Sequence, residues 1–254
     1  MRLIAINFWF FEEKRYLFFQ YSEIVDMRLK QASLSENQWD DIIDAMKCLK
    51  KSNKSHNWDF FVDTHNKFAS HHHDDSPHID GGNTTIHSPF YWLAWHRKFV
   101  FEFEKELKAD GMRVSLPYWN WTENRKIPDH LRMELFGWMH ITRAVFHDGD
   151  KLPTATDLRN AKNATTYAAF DSRMNSLHGE VHNCVGGTMA TFKSPKDPLF
   201  FLNHAFVDKV WAEWQAAHPT LQFSTSILDA SLAPWDNVKV RDVMSISDMG
   251  YSYG

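Results

Sequence analysis

Apolar residues recur every three or four positions over several long stretches of the chain, and this period predicts amphipathic helices. The clearest case is SLSENQWDDIIDAMKCLKKS, where Ser35 and Gln38 have the spacing of a capping box ahead of an apolar repeat. The same pattern predicts four further helices. They are expected at residues 57–68, 88–110, 170–185 and 197–219.

Two of the predicted helices begin with a capping residue followed by proline. Ser88 precedes Pro89, and Asp197 precedes Pro198. Serine and aspartate side chains accept hydrogen bonds from the first N–H groups of a helix, and proline fits its first position because no N–H is needed there. We therefore expect helices to start at these two pairs.

Most of the remaining chain is not periodic. Residues 69–86 predict a polar loop, and residues 122–168 are polar and interrupted by proline. LPYWNW (116–121) predicts a short extended segment. NVKVRDV predicts a short strand in an otherwise irregular tail. No linker or long repeat divides the chain. We therefore expect a single domain over residues 1–254 with a mainly α fold, a four-helix bundle with long irregular loops and little β structure.

The composition excludes several functional classes. Apolar residues make up 43% of the chain, with 20 Phe and 11 Trp, which is enough for a large core. The net charge of −4 argues against nucleic acid and membrane partners, and Cys48 and Cys184 form no disulfide framework. The apolar start MRLIAINFWFF is short and shows no signal-peptide cleavage site. It predicts a buried segment, and a cytoplasmic location is favoured.

Histidine is frequent, with 15 residues, and several have the spacing of metal ligands. His178 and His182 are four residues apart, so both imidazoles project from one face of the predicted helix 170–185. An ordinary polar helix face is the alternative. His204 lies among phenylalanines, where an unpaired imidazole would be costly to bury. Asp208, four residues further on, is either a partner that orients His204 or an exposed helix residue.

A second group of histidines has a similar apolar setting. His96 lies in WLAWHRKF and His65 in FFVDTHNKF. His87 is nine residues before His96, so the two can share a metal only if His87 precedes the helix. A helix start at Ser88 satisfies that condition. The histidine run at 71–73 lies beside acidic residues and predicts a solvated loop.

Two sets of three imidazoles result from this grouping. They are His65, His87 and His96, and His178, His182 and His204. Catalytic zinc and iron sites usually add a carboxylate or thiolate, so imidazoles alone favour copper. Three imidazoles per ion also leave an open coordination position, which a reactive site requires.

The segments that carry these histidines resemble the tyrosinase family of type-3 binuclear copper proteins. HSPFYWLAWHRKFVFEFEKEL and SPKDPLFFLNHAFVDKVWAEWQ are similar to its two copper signatures, and LPYWNW is similar to its aromatic connector. The resemblance extends over roughly residues 35–254. It implies a bundle that holds two copper ions, the first by His65, His87 and His96 and the second by His178, His182 and His204.

The resemblance also implies an activity. Such a copper-dependent oxidoreductase, a tyrosinase or catechol oxidase, converts o-diphenols to o-quinones with dioxygen, and some members first hydroxylate monophenols. The expected partners are small phenolic substrates and dioxygen, and a separate metallochaperone is a further possibility. An o-aminophenol oxidase and a haemocyanin-like dioxygen carrier are the alternatives. Some relatives continue into a C-terminal shielding domain, which this sequence is expected to lack.

The resemblance places four residues in the substrate pocket, namely Gly179, Asn183, Phe192 and Phe200. Family members that hydroxylate monophenols often carry Asn, paired with an upstream Glu, where this chain has Gly179. The preceding segment MNS has no carboxylate. We therefore expect diphenols to be favoured, although close helix packing is an alternative reason for this glycine. Core packing is likewise the alternative role for Phe192 and Phe200.

Overall fold

The computed structural model describes residues 26–70, 86, 89–132, 136–137, 139–144 and 151–254. The predicted N-terminal buried segment and most of the predicted loop 69–86 lie outside these residues. The described helices are α1 (Glu36–Lys51), α2 (Trp58–Ser70), α3 (Trp92–Ala109), α4 (Ala155–Lys162), α5 (Tyr167–Val185), α6 (Leu199–Ala217) and α7 (Thr225–Leu228). The mainly α prediction is confirmed. Among the described helices, none is both long enough and apolar enough to cross a bilayer.

Helices α3 and α6 form the centre of the core, and α1, α2 and α5 pack around them. Aromatic side chains fill the space between the helices. Phe103 on α3 stacks on Phe201 of α6, and Trp58 on α2 meets both rings edge-on. Large rings that interlock in this way set the spacing of the helices from which the histidines project.

The helix starts only partly follow the sequence prediction. The Ser35–Gln38 capping box is present at α1. The predicted start at Ser88–Pro89 is wrong, because α3 begins at Trp92 and follows a turn in which Phe90 has a φ of 68°. α6 begins at Leu199 with Pro198 at the N-cap, one residue later than predicted, although the Oδ1 of Asp197 accepts the N–H of Leu199 at 2.9 Å.

The strands form two small sheets. β1 (Asp26–Arg28) pairs in parallel with β4 (Tyr251–Tyr253), and β2 (Ser231–Leu232) pairs antiparallel with β3 (Trp235–Lys239). The strand predicted at NVKVRDV is confirmed only for its first half, because Val240–Val243 is a 3-10 turn. The β1–β4 pair brings both ends of the described chain together.

A buried ionic network fastens this sheet to the central helices. Arg28 of β1 donates to Glu104 of α3 at 2.6 and 2.8 Å and to Asp208 of α6 at 3.3 Å. Asp208 also pairs with Arg97 and accepts the hydroxyl of Tyr253. Asp208 is therefore neither an orienting partner of His204 nor an exposed helix residue. It is buried, and among the described side chains its partners are arginine and tyrosine rather than His204.

Candidate metal centre

Three imidazoles converge where α5 meets α6. The Nε2 atom of His204 lies 3.2 Å from that of His178 and 3.4 Å from that of His182. An imidazole nitrogen binds a transition-metal ion at about 2.0–2.1 Å, so two such nitrogens on one tetrahedral ion are about 3.3 Å apart. The three nitrogens therefore have the separation expected for ligands of one ion.

Burial favours the neutral form of His182 and His204, which is the form that binds a metal. Loss of solvent, followed by the neighbouring histidines, holds the pKa of His204 well below its ordinary value. Burial also lowers the pKa of His182, although its bond to the carbonyl of Met189 opposes that effect.

Two histidines of the other predicted set lie beside this cluster. The ring of His96, on α3, stacks on that of His204 with centroids 4.4 Å apart and planes 8° apart. The ring of His65, on α2, is 5.6 Å from that of His96. His87 and the run at 71–73 lie outside the described residues. The structure thus brings five of the six histidines together, and the ligand role of His87 stays a prediction.

Backbone carbonyls fix the orientation of three of the imidazoles. His96 donates its Nδ1–H to Trp92 at 2.8 Å, His65 to Phe192 at 2.7 Å and His182 to Met189 at 2.6 Å. A carbonyl only accepts, so each bond assigns the proton to Nδ1 and leaves Nε2 as the metal-binding atom. This arrangement fits copper, for which neutral imidazole is a preferred ligand.

A tight loop after α5 supplies two of these carbonyls. Gly186 and Gly187 have φ values of 65° and 55°, in the left-handed region that favours glycine. A Cβ added at Gly187 would overlap the carbonyl of Thr142 and lie 2.8 Å from the Cα of Arg143. The loop therefore packs directly on residues 142–144. Sequence reasoning missed its role, although the Gly–Gly pair was a visible signal.

A pocket of about 430 Å³ opens over the histidines. Of the predicted pocket residues, Gly179, Asn183 and Phe192 line it, whereas Phe200 does not. Phe192 is 48% exposed, so the alternative of a core side chain is wrong for it. Phe200 is fully buried against the rings of His65 and His204, so its role is packing.

Gly179 is not required by helix packing. A Cβ built at this position meets no described atom within 4 Å. The alternative explanation from close helix contact is therefore wrong for the described part of the chain. The glycine leaves open space in the pocket, next to His178 along α5.

A helical bundle whose core gathers buried imidazoles from four helices under an open pocket defines a histidine-liganded metalloprotein. Within that class, the family model for the common central domain of tyrosinase matches residues 55–144 and 137–217. The tyrosinase of Streptomyces lincolnensis is 30% identical over an alignment of 270 residues, which covers 86% of this chain and 95% of that protein. The chain belongs to the tyrosinase family and is a copper oxidoreductase.

Solved structures share the fold at lower identity. Grenache (Vitis vinifera) polyphenol oxidase superposes with a TM-score of 0.71 at 21% identity, covering 91% of this chain and 85% of that one. A functional unit of octopus hemocyanin gives a TM-score of 0.68 at 20% identity, covering 90% and 68%. At this level of identity, the structural similarity shows only that the fold is shared.

Proposed function

We propose that this protein oxidises o-diphenols to o-quinones with dioxygen at a pair of copper ions. The observation that carries the proposal is the convergence of His178, His182 and His204 beside His65 and His96, beneath a pocket that is open to solvent within the described residues. His65, His87 and His96 would hold the first ion, and His178, His182 and His204 the second.

When bound, the copper pair supplies dioxygen binding and electron transfer. Overall, two o-diphenols give up four electrons and four protons to one dioxygen, and two o-quinones and two waters result. The two diphenols supply all the electrons that dioxygen takes up, so the reaction needs no other reductant.

The protein's own residues bind and orient the phenol. Phe192 stands at the mouth of the pocket and offers an aromatic face to the ring of the substrate, while Gly179 leaves room for that ring above the second histidine set. Asn183, one helical turn after Gly179, offers an amide at the rim. Phe200 is buried among the imidazoles and keeps water from their inner side.

Monophenol hydroxylation is proposed to be the weaker activity. A phenol has a pKa near 10, so only about one in a thousand molecules is ionised at neutral pH. A general base near the metal would contribute roughly 10² to 10⁴ in rate. Gly179 provides no amide to hold a water as that base. Asp171, the nearest upstream carboxylate on α5, accepts hydrogen bonds from Trp92 and from the backbone of Phe90 and does not line the pocket.

Copper content and paired substrate rates test the proposal. The copper-loaded protein should contain two ions per chain and convert 4-methylcatechol to its quinone much faster than it hydroxylates 4-methylphenol. His204→Ala should lose copper and activity. His218→Ala is the matched control at the C-terminal end of the same helix. His218 donates to the carbonyl of Trp214 outside the cluster, so this variant should behave like the wild type. Reversible dioxygen binding without quinone formation would instead identify a carrier.

A further inference from the structure

A buried carboxylate lies close to the histidine cluster but outside the pocket. Asp171 is on α5, seven residues before His178 and eleven before His182, so the helical repeat places all three on one face. Its Oδ1 accepts the indole N–H of Trp92 at 2.9 Å and the backbone N–H of Phe90 at 3.4 Å. Burial raises the pKa of this carboxylate, and the nearby hydroxyl of Tyr167 opposes that effect by favouring the charged form.

Trp92 connects this carboxylate to both predicted histidine sets. Its indole packs against the ring of His178, with centroids 5.1 Å apart. Its backbone carbonyl accepts the Nδ1–H of His96 at 2.8 Å. Trp92 is fully buried and therefore has little freedom to move independently of these neighbours.

Asp171 also holds the turn that leads into α3. Phe90 has a φ of 68°, which is strained for a bulky residue, and the Asp171 carboxylate accepts its N–H. The turn lies three residues after His87 in the sequence. One carboxylate thus anchors both the residue that contacts His96 and His178 and the Phe90 turn that precedes α3.

We propose that Asp171 is a positioning residue of the copper centre. By holding the Trp92 indole and the Phe90 turn ahead of α3, it fixes the direction of the His96 and His178 imidazoles. This inference rests on the copper site of the proposed function. Outer partners of metal-binding histidines are typically worth 10- to 100-fold in metal affinity, and a loss of that size is expected when the anchor is removed.

Two tryptophan variants separate positioning from general stability. Trp92→Phe removes the indole N–H while keeping an aromatic ring against His178. Trp214→Phe is the matched control, because the Trp214 indole is equally buried and donates to the carbonyl of Ala164 at 2.9 Å, away from the histidine cluster. Copper affinity is measured by competition with a chelator, and the ligand-field absorption of the cobalt(II)-substituted protein reports imidazole geometry.

Trp92→Phe should bind copper about 10- to 100-fold more weakly and alter the cobalt spectrum. Trp214→Phe should keep wild-type affinity and spectrum even where the melting temperature of the metal-free protein falls. Asp171→Ala should match the Trp92 variant, and Asp171→Asn, which keeps one acceptor oxygen, should recover part of the affinity. These Asp171 variants carry the test if Trp92→Phe does not fold.

Wild-type affinity and spectrum in both Trp92→Phe and Asp171→Ala would overturn the inference. So would an equal loss in Trp214→Phe. A wild-type protein that binds no copper would instead contradict the proposed function, and the two failures are therefore distinct.

Discussion

At the scale of single residues, Gly179 and Asn175 offer a way to change the balance between two activities. Gly179→Asn places an amide in open space, and Asn175→Glu adds a carboxylate one helical turn earlier, within reach along α5. We expect the single Gly179 change to raise 4-methylphenol hydroxylation only modestly and the double variant to raise it further. Initial rates on 4-methylphenol and 4-methylcatechol check this. A double variant no better than the wild type would contradict it.

The Phe192 side chain is expected to limit access to the pocket. Its ring is 48% exposed, whereas its carbonyl holds His65, so Phe192→Ala removes the ring and keeps the anchor. KM should fall more for a bulky diphenol such as 4-tert-butylcatechol than for catechol, with copper content unchanged. Equal changes in both KM values would mean that the ring does not control entry.

The carboxyl group of Asp171 is expected to make the stability of the metal-free protein depend on pH. Burial raises its pKa to about 6, above the ordinary value of 3.8. Between these values the folded state binds more protons than the unfolded state, so this carboxyl costs stability as pH rises from about 4 to about 6. The free energy of unfolding of Asp171→Asn, relative to wild type, should therefore increase over that range by up to about 3 kcal/mol. Denaturant titrations at pH 4, 5, 6 and 7 measure the trend, and parallel curves would refute it.

At the scale of elements, the loop after α5 is a rigid support for two histidines. Gly187→Ala would clash with the backbone of residues 142–143 and displace the carbonyls of Met189 and Phe192. We expect weaker copper binding, by roughly 10-fold or more, because His182 and His65 lose their orientation. Gly111→Ala is the control, since Gly111 also has a positive φ but no described atom within 4 Å of its Cβ position. It should lose stability while retaining copper affinity.

The helices were predictable from sequence, but the long-range contacts that position them and orient the histidines were not. Apolar periodicity located α1, α2 and α5 because each buries mainly one face. The long apolar runs of α3 and α6 also marked helices, and the structure buries the first half of α3 and most of α6 on all sides. The start of α3 was misplaced because long-range contacts to Asp171 stabilise a turn at Phe90 that local preference does not indicate. The backbone carbonyls that orient His65 and His182 leave no side-chain signature, and the Gly186–Gly187 pair signals only the tight loop that carries them. The partners of Asp208 come from distant parts of the chain.

At the scale of the whole molecule, Asp208 links both ends of the described chain to the two central helices. Burial alone would raise its pKa, but Arg97 and Arg28 hold it below the ordinary value. Asp208→Asn leaves the buried guanidinium of Arg97 without a carboxylate and that of Arg28 with Glu104 alone, and should cost about 3–5 kcal/mol. Copper retention should fall as well, because Arg97 directly follows His96 and Asp208 lies one turn after His204.

A surface carboxylate provides the comparison for Asp208. Asp229 also pairs with two cations, Lys239 at 3.1 Å and Arg241 at 2.7 Å, but all three side chains are well exposed. Asp229→Asn should leave stability nearly unchanged, because solvent screens such pairs. Urea unfolding of the two variants measures the contrast. Similar losses in both would show that burial is not what gives the Asp208 network its strength.

The carbonyls of Met189 and Phe192 also limit which sequence changes the loop after α5 can accept. Both act through main-chain atoms, so point substitutions there leave the two anchors in place. Inserting or deleting one residue between them would shift one anchor by about 3.3 Å, more than a hydrogen bond tolerates. Changes in substrate preference at this rim are therefore expected as exchanges of side chains at constant loop length. In a directed-evolution library, randomising Thr191 and Phe192 should yield folded, metal-binding proteins, whereas indels in the same segment should not.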